Sequence, residues 1–248
     1  MKWRVMELGV NDAFTNMAID EAICDSVRDG SAMPTIRFYR WKPSAVSIGC
    51  FQGMMEEVNV DLCKKLGIDV IRRRTGGGAV YHDYNGEVTY SVIAPLDAFP
   101  KGIRESYMVI CGWVINGLSR LGINAYFAPI NDIAVDGKKI SGNAQTRRDG
   151  ILLQHGTVLY DLDLKTMFSV LNVSKEKISD KMIKSAEERV TKVRSFADVP
   201  IDALYNALLD GFVEGKEYTK EGLSVGERSS AEALAQSVYR SDEWNFSR

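Results

Sequence analysis

The chain has 248 residues, of which 45% are hydrophobic and 26% are charged, as in an ordinary globular protein with one large domain or two small ones. With 31 basic residues against 33 acidic ones, it lacks the positive field of a nucleic-acid-binding protein. No apolar run reaches the roughly eighteen residues of a membrane span, and the amino terminus lacks the apolar core of a secretory signal, so we expect a cytoplasmic protein without nucleic-acid or membrane partners.

The first half of the chain mixes helical and strand-like patterns. Asp12 is suited to cap the first helix, and β-branched and aromatic runs indicate strands. The predicted elements are a helix from Asp12 to near Gly30, strands at Thr35–Trp41 and Ala45–Phe51, a short helix from Asn59 to Gly67, strands at Asp69–Arg74 and Glu87–Ala94, and a helix from about Arg104 to Leu121.

In the second half, two Asp-Gly dipeptides predict type I′ hairpin turns and a three-stranded meander. The strands are Asp132–Val135, Lys138–Arg148 and Ile151–Tyr160, and further helices are predicted at Leu164–Leu171, Ile201–Gly211 and Ala231–Tyr239. The charged segment 174–192 fits a loop and a solvated helix equally well. Because the strands cluster in hairpins, the sequence predicts an α+β fold with a mixed, largely antiparallel sheet flanked by helices.

Three arginines run into three glycines at Arg72-Arg73-Arg74-Thr75-Gly76-Gly77-Gly78. Glycine admits positive φ and close approach of a ligand to main-chain N–H groups, while arginine supplies a planar cation suited to phosphate or carboxylate. The run is typical of an anion-binding loop, although a tight turn between strands is the simpler interpretation of glycines alone.

The meander gathers polar side chains on one small sheet. A two-residue turn at Asp136-Gly137 predicts that Ala134 pairs with Lys139 and Asp132 with Ser141, which places Asp132 within side-chain reach of Lys139 and sends Lys138 to the opposite face. Across the second turn, Ala144 is expected opposite His155, and Asn143 opposite Gly156. An exposed ion pair between Lys139 and Asp132 and an ordinary sheet histidine are the alternatives to a site.

The four cysteines, Cys24, Cys50, Cys63 and Cys111, are scattered without CxxC spacing. A zinc site or a disulfide framework is therefore not supported, and buried thiols are expected instead.

Both polar stretches resemble the lipoate–protein ligase family. Residues 72–83 read RRRTGGGAVYHD, and residues 131–157 include Asn131-Asp132, Lys138-Lys139-Ile140-Ser141-Gly142-Asn143 and Gln154-His155-Gly156-Thr157. Asn16–Glu21, Ser47-Ile48-Gly49 and the terminal Glu243–Phe246 add to the resemblance, which covers nearly the whole chain in order.

The resemblance implies a single catalytic domain over residues 1–248, of the biotin and lipoate ligase type related to class II aminoacyl-tRNA synthetases. It implies that (R)-lipoate reacts with ATP and Mg²⁺ to give lipoyl-AMP. The lipoyl group then passes to a lysine of a lipoyl domain in an oxo-acid dehydrogenase complex, or to the glycine-cleavage H protein.

The same resemblance implies roles for individual residues. Lys139 matches the family's central lysine and would polarise the acyl carbonyl, with Asp132 as its catalytic partner and a candidate Mg²⁺ ligand. Residues implied to bind ATP or lipoyl-AMP are Arg73, Gly76, Gly77, Gly78, Ala79, Val80, Tyr81, His82, Asn131, Lys139, Ser141 and Gly142. Residues implied to line the lipoyl pocket are Trp41, Gly77, His155 and Gly156, although Trp41 equally fits an ordinary core tryptophan.

Two departures from the family pattern bear on the activity. Many bacterial ligases continue into a small accessory domain, whereas this sequence stops just after Phe246, so we expect a separate polypeptide to supply that part. The related octanoyltransferases take their acyl group from acyl carrier protein, through a cysteine or with the help of a lysine. The cysteine type has its thiol in the loop before the Asp132 strand, where this chain has Ala128-Pro129-Ile130-Asn131. We therefore expect ATP-dependent ligation, with octanoyl transfer or non-catalytic binding of lipoate or nucleotide as alternatives.

Overall fold

The computed structural model of the protein describes residues 1–172 and 188–248. Most of the segment 174–192, for which loop and helix were both open, lies outside the described residues. The α+β class is confirmed, since a large and mostly antiparallel sheet is flanked by helices.

The predicted elements are present to within a few residues, apart from the exceptions given below, whereas the short strands Tyr126–Ala128 and Tyr218–Lys220 and the short helices Met54–Glu57 and Asp242–Asn245 were not predicted. The strands are β1 (Trp3–Asn11), β2 (Thr35–Trp41), β3 (Ala45–Ile48), β4 (Asp69–Arg72), β5 (Val80–His82), β6 (Glu87–Pro95), β7 (Tyr126–Ala128), β8 (Asp132–Val135), β9 (Lys138–Arg148), β10 (Ile151–Leu159) and β11 (Tyr218–Lys220). The helices are α1 (Ala13–Arg28), α2 (Met54–Glu57), α3 (Val60–Leu66), α4 (Ile103–Ser119), α5 (Leu164–Val170), α6 (Ile201–Val213), α7 (Val225–Leu234) and α8 (Asp242–Asn245).

The large sheet has the strand order β11-β1-β2-β6-β10-β9-β8-β7. Strand β1 is parallel to both of its neighbours, and the other pairs are antiparallel. The sequence did not predict β1, because Arg4 interrupts its apolar pattern. Arg4 is nevertheless buried, since its guanidinium pairs with Glu227 at 2.6 Å.

Helices cover both faces of this sheet, as its alternating side chains require. On one face, Phe38, Tyr90 and Val92 pack with residues of α4 and α6. On the other face, Tyr39 and Ile93 pack with residues of α1 and α7. Helix α7 begins at Val225 and not at the predicted Ala231, because Ser224 and Glu227 form a capping box.

A second sheet holds the arginine and glycine run. Its central strand β3 is parallel to β4 and antiparallel to β5. The loop between β4 and β5 contains Arg73 to Ala79, so three short strands present the glycines to the face of the large sheet.

Both predicted hairpin turns are confirmed. Asp136 and Gly137 have φ of 49° and 78°, and Asp149 and Gly150 have φ of 51° and 79°, as a type I′ turn requires. The predicted partners of His155 and Gly156 are also confirmed.

The predicted pairing of Asp132 with Ser141 is wrong. The register of β8 and β9 shifts between Ile133 and Ala134, so Asp132 lies opposite Gly142 and Ile133 opposite Ser141. Such a bulge places one extra residue on one strand, and a rigid two-residue count from the turn cannot anticipate it.

Candidate active site

A cavity of about 290 Å³ lies between the large sheet and the glycine loop. Its apolar wall includes Leu159, Leu162, Met167 and Leu171, and polar groups from β3, β5, β9 and β10 line the remainder. Most of the site residues expected from the sequence line this cavity, namely Trp41, Arg73, Gly77, Gly78, Ala79, Val80, Tyr81, His82, Asn131, Lys139, Gly142, His155 and Gly156.

Three expected site residues do not line the cavity. Asp132 lies beside it as the partner of Lys139, and Gly76 turns its carbonyl toward Arg73. Ser141 is fully buried, and its hydroxyl has no hydrogen-bond partner among the described residues. Ser141 is absent from the cavity lining because the bulge in β9 moves it from the position opposite Asp132 to the position opposite Ile133.

Lys139 supplies a cation at one end of the cavity. Its Nζ lies 2.8 Å from Asp132 Oδ1, and 42% of the lysine side chain is exposed. The main chain of Lys139 is held by bonds to Arg189 and Thr191, each 2.8 Å long. Gly142 lies beneath the lysine, and a Cβ there would come within 2.8 Å of Nζ, so a larger residue would displace the ammonium group from this position. The ammonium group is therefore both oriented and accessible.

The loop before β8 is fixed to β9 next to this lysine. The side-chain amide of Asn131 donates to the Asn143 carbonyl, and Asn143 Nδ2 donates to the Asn131 carbonyl at 2.8 Å. This reciprocal pair holds the loop at the mouth of the cavity.

Arg73 is buried beneath the glycine loop, and all five of its N–H groups point to protein oxygens. Its Nη2 donates to the carbonyls of Gly76 and Gly78 at 2.7 and 2.8 Å. Its Nη1 donates to the carbonyl and hydroxyl of Ser47, and its Nε donates to Thr75 Oγ1, all at 3.1 Å. Burial lowers the pKa of Arg73 to about 10, so the group remains a cation at neutral pH. The arginine thus shapes the loop from within.

The two hydroxyls connect Arg73 to the only two histidines of the chain. Ser47 Oγ lies 2.8 Å from His82 Nε2, and Thr75 Oγ1 lies 2.7 Å from His155 Nε2. Each hydroxyl therefore bridges the Arg73 guanidinium and one imidazole ring.

The other ring nitrogens face buried carboxylates. His82 Nδ1 lies 2.7 Å from Glu87 Oε1, and His155 Nδ1 lies 3.6 Å from Asp20 Oδ2. Burial lowers the pKa of His155, although Asp20 acts in the opposite direction. The result is one buried cation linked through Ser47 and Thr75 to two imidazoles beneath the cavity. Both residues lie in stretches that carry the family resemblance, but the sequence did not assign either of them a role in the site.

Helix α8 fixes the arginine run from outside. Asn245 Oδ1 accepts the Arg72 main-chain N–H at 2.9 Å, and Trp244 Nε1 donates to the Arg72 carbonyl at 2.8 Å. Arg74 stacks on Trp244 at 4.2 Å and pairs with Glu21 at 2.9 Å. Only the middle arginine of the three therefore reaches the cavity.

Of the four cysteines, which were expected to be buried thiols, Cys63 and Cys111 are buried, whereas Cys24 and Cys50 are half-buried. All four lie in the described part of the chain, and none of them lines the cavity. Burial raises the pKa of Cys63 to about 11 and that of Cys111 to about 12. Across residues 1–172 and 188–248, no three His, Cys, Asp or Glu side chains gather as a metal site, and Asp132 is paired with Lys139.

The family model of the lipoyl protein ligase A/B catalytic domain matches residues 12–213. The chain belongs to this family. A curated relative, the octanoyltransferase LipM of Geobacillus kaustophilus, is 35% identical, and the match covers 99% of this chain and 98% of the relative.

Two solved structures from Thermoplasma acidophilum share this family fold. One is a bipartite lipoate protein ligase studied together with its E2 lipoyl domain. It is 36% identical to this chain with a TM-score of 0.89, and the match covers 99% of this chain and 96% of the other. The second, a lipoate protein ligase with bound lipoic acid, is 35% identical with a TM-score of 0.85 and full coverage of both chains at 100%.

The comparisons overturn the predicted ATP-dependent ligase activity of this family member. Relatives that align with it over nearly their whole length are named octanoyltransferases. The prediction relied on the missing cysteine, but acyl transfer assisted by a lysine needs no thiol. Arg73, expected to bind phosphate, already has its five N–H groups committed to the protein.

The cofactors expected with that activity, ATP and Mg²⁺, are not carried over to this chain. A lipoyl-type ligand does agree with the family, since the Thermoplasma neighbour holds lipoic acid. Within the described residues, no helix combines the length and apolar character needed to cross a bilayer.

Proposed function

We propose that this chain, acting as one catalytic domain over residues 1–248, transfers an octanoyl group from acyl carrier protein to a lysine of a lipoyl domain. The observation that carries this proposal is the oriented Lys139 ammonium at one end of a cavity with apolar walls. Curated relatives named octanoyltransferases support the choice of acyl group.

The width of the sheet supports an eight-carbon ligand. Gly142 lies opposite Thr157, and Thr157 lies opposite Thr89 on the next strand. Two strand spacings separate Gly142 from Thr89, a distance of about 10 Å. An extended octanoyl chain covers this distance, with its carbonyl at Lys139 and its tail toward Thr89 and Trp41.

Lys139 would act on the carbonyl of the incoming thioester. The acceptor amine attacks the carbonyl carbon, negative charge develops on the carbonyl oxygen, and a positioned ammonium stabilises that charge. The C–N bond forms, the C–S bond breaks, and the proton lost by the amine ends on the departing thiol. Asp132 keeps the ammonium in place, and Asn131 fixes the adjoining loop.

The glycine loop would close the cavity over the acyl chain. Gly77 has a φ of 96°, and a Cβ there would meet Arg73 Nη2 at 2.9 Å. We assign Gly77, Gly78, His155 and Gly156 to contacts with the chain, and Arg73 to holding the loop.

The partners follow from this chemistry. A lipoyl domain of an oxo-acid dehydrogenase complex, or the glycine-cleavage H protein, is the proposed acceptor. A separate accessory polypeptide stays a prediction for this chain, and the bipartite arrangement belongs to the Thermoplasma ligase.

The test is transfer without nucleotide. The purified chain is incubated with octanoyl–acyl carrier protein and a lipoyl domain, and the acceptor is weighed by mass spectrometry. We expect a gain of one octanoyl group that does not require ATP. A modification that occurs only from free acid with ATP would refute the proposal.

A further inference from the structure

A second cavity of about 230 Å³ lies next to the first one. Met17 and His155 line both cavities and therefore form the boundary between them. The proposed octanoyl transfer does not use this second space.

The floor beneath the two cavities is continuous. Side chains alternate along β10, so Thr157, His155, Leu153 and Ile151 share one face. Thr157 and His155 lie in the first cavity, while Leu153 and Ile151 line the second. The six residue steps from Thr157 to Ile151 extend about 20 Å, so a chain longer than octanoyl that turns along β10 beyond Thr89 and Trp41 does not meet the edge of the sheet.

The boundary between the two cavities consists of His155, which is held by a hydrogen bond, and Met17, which is held only by apolar packing. His155 belongs to the floor and is held by Thr75 at 2.7 Å. Met17 projects from α1 on the opposite side, is 3% exposed, and belongs to the apolar cluster of α1 with Tyr39 and Trp41. Its unbranched thioether fills space without polar bonds.

The charged groups that line the second cavity are all paired, and the buried Asp20 is held by Arg37 from outside the cavity at 2.6 Å. Glu21 pairs with Arg74 at 2.9 Å, Asp25 with Arg28 at 2.8 Å, and Asp149 with Arg148 at 3.2 Å. An apolar chain on Leu153 and Ile151 would therefore leave these ion pairs in place.

We propose that Met17 sets the acyl-chain length, by closing the octanoyl cavity toward an adjacent space that is suited to a longer chain. The proposal rests on the acyl transfer proposed above. It predicts that shortening residue 17 joins the two cavities and admits chains of ten to fourteen carbons.

The experiment compares octanoyl and dodecanoyl carrier proteins as donors for the wild type and Met17→Ala. Each newly buried methylene is worth about fourfold in binding, so we expect the dodecanoyl-to-octanoyl rate ratio to rise by roughly tenfold or more. Met54→Ala is the matched control, because Met54 is equally buried but packs in a different cluster and lines neither cavity. Its ratio should equal that of the wild type.

A second variant tests the path of the chain. Met17→Ala combined with Leu153→Trp refills the second cavity and should return the ratio to the wild-type value. Thermal melts confirm folding, and Met17→Val replaces Met17→Ala if the latter is unfolded. An unchanged ratio in a folded Met17 variant, or an equal rise in Met54→Ala, overturns the proposal.

Binding of octanoate and dodecanoate, measured by calorimetry on the same variants, separates the two hypotheses. If the wild type transfers no octanoyl group, the proposed function fails. The change in binding preference at Met17 still decides the chain-length proposal.

Discussion

Replacing Lys139 with alanine is expected to abolish most activity while leaving stability almost unchanged. The lysine and Asp132 side chains are 42% and 32% exposed, and an ion pair of this kind contributes less than about 1 kcal/mol to folding. Removing one preorganised donor from the oxygen that gains charge typically costs about 10² to 10³ in rate. The large loss of transfer rate and the small loss of stability can therefore be distinguished in this single variant.

The assay measures the initial rate of octanoyl transfer to a lipoyl domain, and urea denaturation measures the free energy of unfolding. Lys138→Ala is the control, because Lys138 neighbours Lys139 in sequence but does not line the cavity. We expect Lys138→Ala to retain activity within about threefold of the wild type, well short of the loss of a preorganised donor. Comparable rates for the two variants, or a large loss of stability in Lys139→Ala, would refute the role assigned to this lysine.

Three further predictions concern the supports of the site. A lysine at position 73 cannot form the five directed N–H bonds of Arg73. Arg73→Lys should therefore lower the free energy of unfolding by about 2 kcal/mol or more, and it should also lower the transfer rate. Wild-type values in both denaturation and kinetics would contradict this. Asn245→Ala leaves the buried Arg72 N–H without its acceptor and should cost about 1–3 kcal/mol, whereas the exposed Ser237→Ala should be nearly neutral in the same melt. Because burial lowers the pKa of His155, the unfolded chain takes up a proton near the ordinary value of 6.5 before the folded one does. Stability should therefore fall as the pH drops below about 6.5, and His155→Gln should reduce that dependence; identical pH profiles of unfolding would show that His155 does not contribute.

Local patterns in the sequence determined much of the fold. The two Asp-Gly turns need positive φ at both central residues, and that requirement is a property of the dipeptide and its flanking strands. The meander of β8, β9 and β10 followed from these turns, and so did the pairing of Ala144 with His155. Strand β1 was missed because the burial of Arg4 depends on Glu227, more than two hundred residues later in the chain.

The candidate site was predictable as a set of residues but not as an arrangement. Lys139, Arg73 and the glycines were recognised by their resemblance to a family. The activity read from the absent cysteine was wrong, because the sequence of one loop does not reveal which other group can assist acyl transfer. The bulge that separates Ser141 from Asp132 was also invisible to a count from the turn.

What the sequence alone determined about this protein is therefore local: turns, strand periodicity and the residue types gathered in two polar stretches. Only the tertiary structure decided that Arg73 points into its own loop, that Arg72 is held by α8, and that Met17 separates two cavities. The physical reason is that a hydrogen bond or an apolar contact between distant segments depends on the positions of both partners, and these positions are set only when the sheets and helices pack together.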